Sequence, residues 1–322
     1  MLGIRRLIVV LESERIPVSS SPGGALPIDV GQAFQHAALL SAACQLPLAV
    51  ALLHPSDQPF AGPAQVTTPT QPVSSVDLLS QLRPLIDQQA HRAGSSVSEF
   101  ECFTTTEWTD LLTSTPCDPG LLFSLTVPDS TTPDSTMAPA PQTSLVFPRQ
   151  TGWRSALQNF PGYLWLHPTT PANPESSLMA PTDVVALVSC QQSPLQTLID
   201  AVAIAKALHV KFHVRPCTST TGKFTPNETI EQVIHESLAQ CDYRTLPQGL
   251  RVYPVADSPV EALQQTSHEC SAPLVLFPRT TLVDDTVTNM LVANMLNPAR
   301  GIPAGSLLLL PEESARSSQP PQ

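Results

Sequence analysis

Charge is scarce in this chain. Asp, Glu, Lys and Arg make up 13% of 322 residues, about half the usual share of roughly 25%. Positive charge is scarcest: three lysines (Lys206, Lys211 and Lys223), scattered arginines and a net charge of −11. Binding to phosphate backbones needs clustered Lys and Arg that displace counterions. Nucleic acid is therefore excluded as a partner class, and an anionic membrane surface is disfavoured for the same reason. The seven cysteines show no CxxC or CxxH spacing, so neither a disulfide framework nor a zinc site is signalled. Cys44, Cys190 and Cys217 adjoin apolar runs and read as small buried hydrophobes in a reducing compartment.

A long hydrophobic span is lacking too. The five-residue apolar stretch near the N-terminus is too short for a signal-peptide core. Residues 37–53 are interrupted by Gln45 and Pro47 and read as a helix end followed by a strand. No membrane insertion is expected, and the expected location is cytoplasmic. Catalytic signatures are missing as well: no G-x-S-x-G elbow, no GxxxxGK[ST] loop and no GxGxxG after a strand. The expectation is a protein that is not an enzyme.

What is present is a strand-then-helix alternation. Apolar residues reach 42%, enough for a core, and the length favours two domains. Proline, 35 of 322, ends many apolar runs and crowds into linkers. In the second half, strands are predicted at 183–189, 210–214, 249–255, 274–277 and 306–310. Helices are predicted at 195–208, 228–240, from Ser258 to about 270, and 285–297. Ser258, Pro259 and Glu261 make a capping box with proline at the first helical position. The order βαβαβαβαβ implies a parallel sheet covered on both faces.

The first half repeats this less clearly. Strands fall at 7–11, 48–53 and 99–103, with helices at 30–44, at 76–92 (bent or broken near Pro84) and at 153–160. Thr104 and Glu107 form another capping box, and YLWLHP at 163–168 parallels the last strand of the second half. Two runs compete for the fourth strand: 121–127 (LLFSLTV) and 145–149 (LVFPR). The second is favoured because it echoes VLFPR at 275–279. Trp108, Trp153, Trp165, Phe160 and Tyr163 read as one aromatic cluster serving core packing or the contact between copies.

Residues 183–313 resemble a universal stress protein domain. The resemblance is carried by VVALVS, by LQTLIDAVAIAKALHV, by VYPVADSPVEALQQ, by SAPLVLFPR and by SLLLLPEE; the first half resembles the same domain more faintly. It implies a tandem protein of two α/β, Rossmann-like (adenine nucleotide alpha hydrolase-like) domains, 1–170 and 181–313, followed by a disordered tail at 314–322. Each would hold a five-stranded parallel-type sheet with helices on both faces, binding ATP or having lost that ability, in a regulatory or stress-response role.

Departures from the family pattern locate the loss. Nucleotide-binding members carry an Asp at the end of the first strand; this chain has Glu12 in the first half, and Ser189 and Cys190 in the second. Where they carry a glycine-rich G-x2-G-x9-G-S/T loop, the second half reads FPRTTLVDDTV, without glycine and with Asp284 and Asp285 at the next helix start. The first half keeps one glycine, Gly152, in FPRQTGWRSAL. Glycines let backbone N–H groups approach phosphates, and acidic side chains at a helix start take those donors instead.

The candidate ligand residues are Glu12, Arg149, Gly152, Arg279 and Thr280, at or near the carboxyl ends of strands where open parallel sheets collect ligands. Arginine can hold a phosphate or carboxylate bidentately; the competing reading gives each arginine a local carboxylate or a helix end. His54, His167, His213 and His235 form no metal spacing. No cofactor is expected, with ATP or another nucleotide in the first half as the alternative. The expected activity is protein–protein contact by an intramolecular pseudo-dimer, including the variants of a homodimer or a regulatory partner of a membrane transporter. A nucleotide or small-anion sensor is the alternative function.

Overall fold

The computed structural model describes residues 3–13, 16, 26, 28–54, 75–114, 118–127, 160–168, 181–189, 194–218, 227–267, 269–270, 273–278 and 305–311. Ten strands form one sheet: β1 Arg6–Glu12, β2 Leu48–His54, β3 Val97–Thr104, β4 Leu121–Val127, β5 Tyr163–Pro168, β6 Asp183–Ser189, β7 Lys211–Cys217, β8 Leu250–Val252, β9 Pro273–Pro278 and β10 Ser306–Leu310. The described helices are α1 Ile28–Cys44, α2 Ser75–Arg92, α3 Thr105–Ser114, α4 Leu195–Leu208, α5 Asn227–Gln240 and α6 Pro259–Ser267.

The strand order is β3-β2-β1-β4-β5-β10-β9-β6-β7-β8. The first five strands and the last five thus have the same order, read outward from a seam. Every pairing is parallel except that seam, where β5 and β10 run antiparallel with Leu307 opposite Leu166, Leu308 opposite Trp165 and Leu309 opposite Leu164. Both seam strands are almost wholly apolar. Left unpaired, either would be an aggregation-prone edge, and pairing them removes two edges at once.

Side-chain alternation divides the core into two layers. On one face Val9, Leu122, Trp165, Val184, Val214 and Leu308 pack with residues of α1, α2, α4 and α5. On the other, Val10, Phe123, Leu166, Val185, Leu307 and Leu309 pack with Trp108 of α3 and with Ala262 and Leu263 of α6. Both layers run across the seam. Helices α1 and α4 touch beneath it, and the buried Asp200 of α4 accepts hydrogen bonds from the backbone N–H of Gly3 (3.4 Å) and the hydroxyl of Tyr163 (3.1 Å).

Three expectations are corrected. The fourth strand is Leu121–Val127, which pairs with β1 on one side and β5 on the other; the favoured run at 145–149 lies outside the described residues. The largely apolar run beginning beside Arg6 of β1 fills that place, so the echo of VLFPR does not mark the fourth strand. Helix α2 is not broken near Pro84 but continues through it, because Leu82, Ile86 and Ala90 keep one face buried while Pro84 is exposed. The aromatic residues form no single cluster. Trp108 and Phe160 lie in one layer, with Phe123 and Phe103 joined to them ring to ring, whereas Tyr163 and Trp165 lie in the other. The expected helices at 153–160 (apart from Phe160) and 285–297 lie outside the described residues.

No described helix is long and apolar enough to cross a membrane.

Candidate functional site

The carboxyl ends of the strands place Glu12, His54 and Thr104 in a row at the ends of β1, β2 and β3. Glu12 is partly buried at its strand's last position, opposite Leu53. Of the five predicted ligand residues it alone is described; Arg149, Gly152, Arg279 and Thr280 lie outside the described residues.

Two helix starts at this rim, those of α3 and α6, are closed by their own side chains, whereas Pro194 before α4 makes no side-chain cap. At α3, the Thr104 hydroxyl accepts from the Glu107 N–H at 3.1 Å, and the Glu107 carboxylate accepts from the Thr104 N–H at 2.8 Å. This is the predicted capping box. The two hydrogen bonds from Thr104 hold the Glu107 carboxyl below its usual range, with His54 adding a smaller electrostatic contribution. At α6, Ser258 accepts from the Glu261 N–H at 3.1 Å, and Glu261 accepts from the Asp257 N–H at 2.8 Å. An incoming anion would meet carboxylates where an open helix start would offer N–H donors.

A second polar region lies beneath the seam. Ser124 Oγ and His167 Nε2 are 3.0 Å apart and both fully enclosed. The His167 ring lies 4.8 Å from that of Trp165 and 5.6 Å from that of His36, centroid to centroid. Burial, reinforced by His36, drives the His167 pKa well below its ordinary value. A serine beside a neutral imidazole has the chemistry of a nucleophile and base, but here α1 seals the pair from any substrate. Its role is to satisfy two polar groups inside the core.

A third region, unannounced by the sequence, sits toward the amino ends of β6, β7 and β9, on the face that carries α6. Asp183 opens β6, His213 lies in β7, and Cys270 precedes β9. Their donor atoms all lie within 4.8 Å of one another and all three residues are buried. His213 Nε2 is 3.0 Å from Asp183 Oδ1, and its Nδ1 is 2.9 Å from the Tyr253 hydroxyl. Tyr253 in turn bonds Glu269, which also pairs with Arg215 (3.5 Å) and Arg251 (3.1 Å). The Arg215 guanidinium lies 3.3 Å from the Tyr253 ring centroid, a close cation–π contact. Burial, with Asp183 assisting, pushes the Cys270 thiol up to about 11, and burial with the Glu269 hydrogen bond pushes Tyr253 up to about 12. The bond from Tyr253 holds Glu269 below its usual range, helped by both arginines.

Sequence reading missed this cluster because its members are 30 and 57 positions apart (213 − 183 and 270 − 213). Strand register brings Asp183 near His213, and the segment between α6 and β9 adds Cys270. His213 was considered there solely for local metal spacing, which it lacks.

No protein-family model matches the chain, and no curated protein matches it. Solved structures do. They include a protein from Pseudomonas aeruginosa UCBPP-PA14 described as a universal stress protein, at 16% identity, with 98% of this chain and 96% of that chain covered and a TM-score of 0.48. A functionally unknown protein from Pseudomonas aeruginosa PAO1 matches at 16% identity, 98% and 95% coverage and a TM-score of 0.49. A universal stress protein from Archaeoglobus fulgidus DSM 4304 matches at 8% identity, 97% and 98% coverage and a TM-score of 0.51. At these identities the likeness speaks for architecture alone: the chain has the mixed α/β, Rossmann-like fold of the archaeal universal stress protein, with a large, mostly parallel sheet.

Proposed function

We propose that this protein is a non-catalytic regulatory module of universal-stress type, a tandem of two degenerate copies that acts by protein–protein contact. The reading draws on the fold shared with the archaeal universal stress protein and on the equal strand order of the two halves. The observation that carries it is the self-capping of two helix starts on the rim, where Glu107 and Glu261 occupy the starts of α3 and α6. With Glu12 at the end of β1, the described residues put three carboxylates on that rim, which disfavours phosphate there. The sequence of the second half supports the same reading, since its phosphate loop holds no glycine and carries Asp284 and Asp285.

The test is a thermal-shift titration of natively purified protein with ATP, AMP and cyclic nucleotides. A ligand at 100 times its Kd stabilises by about 2.7 kcal/mol. The expected outcome is no shift with any of them, and recovery of a stoichiometric protein partner from the native source. A shift would instead establish the sensor of nucleotides or small anions, and its loss in Arg149→Ala would place that site in the first half with Glu12 and Gly152. A shift lost in Arg279→Ala would place it in the second half with Thr280.

A further inference from the structure

We propose that Asp183, His213 and Cys270 form a binding site for a divalent transition-metal ion of the zinc class, clamping the amino ends of β6, β7 and β9 together. The site goes beyond the regulatory reading and stands independently of the rim.

The donor set selects the metal. One carboxylate oxygen, one imidazole nitrogen and one thiolate sulfur suit zinc, whereas magnesium and calcium take oxygen ligands. The geometry fits the same ion. Tetrahedral zinc, with bonds of about 2.0–2.3 Å, spaces its donors roughly 3.2–3.8 Å apart, and the three donor atoms lie within 4.8 Å of one another. All three side chains are buried, with relative exposures of 7% for Asp183, 6% for His213 and 3% for Cys270. They come from three neighbouring segments of the sheet, so little rearrangement is needed to close around an ion. The neighbouring Glu269 is exposed, so solvent lies one residue from the site.

The surrounding hydrogen bonds point the same way. Glu269, paired with two arginines, is a carboxylate and can only accept. Tyr253 therefore donates to Glu269 and accepts from His213 Nδ1–H. The free lone pair of a neutral His213 ring then lies on Nε2, aimed at Asp183 Oδ1 at 3.0 Å. In that tautomer two acceptors face each other, a position that a metal ion can occupy. Metal-bound histidines typically donate their second ring N–H to such a partner, which fixes the tautomer and the ring plane. Asp183 is held likewise, its Oδ2 accepting from the Thr182 hydroxyl at 2.7 Å. On binding, Zn2+ replaces the thiol proton of Cys270 and any proton held between His213 and Asp183. What is displaced leaves to solvent as protons, and no electron is transferred.

The test uses the full chain, stripped with a chelator, loaded with Zn2+ or Co2+ and desalted. One ion per chain is expected to remain, and the Co2+ form should show a thiolate-to-cobalt charge-transfer band. Cys270→Ala should lose the band and the retained ion, while Cys44→Ala and Cys102→Ala keep both. X-ray absorption of the zinc-loaded wild-type chain, which needs no variant to fold, should find one sulfur at about 2.3 Å with nitrogen or oxygen donors near about 2.0 Å. Failure of the wild-type chain to retain metal, a zinc shell without sulfur, or an unaltered charge-transfer band in Cys270→Ala would each overturn the proposal.

Discussion

Gly162 and Gly305 stand immediately before β5 and β10, the two seam strands. A Cβ on Gly162 would come within 2.5 Å of the Leu121 carbonyl oxygen, and one on Gly305 within 2.6 Å of the Pro273 carbonyl oxygen. In each case the obstacle is the backbone at the start of the neighbouring parallel strand, which cannot step aside as a side chain can. Gly162→Ala and Gly305→Ala are each expected to lower stability by about 1–3 kcal/mol, measured as a reduced urea midpoint at unchanged slope. His167 gives a second expectation at this scale. Its folded pKa lies well below the ordinary value of 6.5 because burial disfavours the charged ring. The unfolded chain therefore binds a proton that the folded chain refuses. The stabilising contribution is complete above the unfolded value and is lost as pH falls below it, by about 1.4 kcal/mol per pH unit. Unfolding free energies of wild type and His167→Gln, measured from pH 7 to 5, should converge as acid is added, because glutamine does not titrate. Parallel pH profiles would refute this.

The helices end and begin by rules that single residues enforce. Helices α1, α2 and α4 are closed by residues in the left-handed conformation, Gln45, Gly94 and His209, with φ of 54°, 77° and 56°. In each the next turn hydrogen-bonds back five residues: Leu46 to Ser41, Ser95 to Ala90 and Val210 to Ala205. These are Schellman closures, and they aim the chain directly into β2, β3 and β7. At the other end, the Thr104 and Ser258 hydroxyls each satisfy an otherwise orphaned N–H. Thr104→Ala and Ser258→Ala should each cost about 1 kcal/mol, read from thermal or chemical unfolding. An undiminished stability in either variant would mean that the rim carboxylate alone closes the helix.

The two halves of the ten-stranded sheet are joined at the seam by three antiparallel residue pairs. Both core layers nevertheless cross it, and Asp200 is bonded to Tyr163 from the far side. The whole chain is therefore expected to unfold as one cooperative unit. All three tryptophans lie at or before position 165, so fluorescence reports on the first half while far-ultraviolet circular dichroism reports on both. The two probes should give coincident urea transitions. A fragment ending near residue 175, by contrast, bares the apolar edge of β5 and should self-associate, seen as dimers or larger species by size-exclusion chromatography. Separate transitions and a monomeric fragment would show that each half is self-sufficient.

Much of the fold was legible beforehand, because short continuous apolar runs mark buried strands such as Asp183–Ser189, and Ser258-Pro259-x-Glu261 marks a helix start through purely local hydrogen bonds. Composition alone also fixed the acidic balance that disfavours nucleic acid. The fourth strand was misplaced, since two apolar runs of similar character competed and only pairing with β1 could choose Leu121–Val127. Nor could any pattern along the chain reveal Asp183 beside His213 and Cys270. Residues far apart in sequence meet only when parallel strands settle into register, and that register is set by the burial of entire faces rather than by any nearby residue.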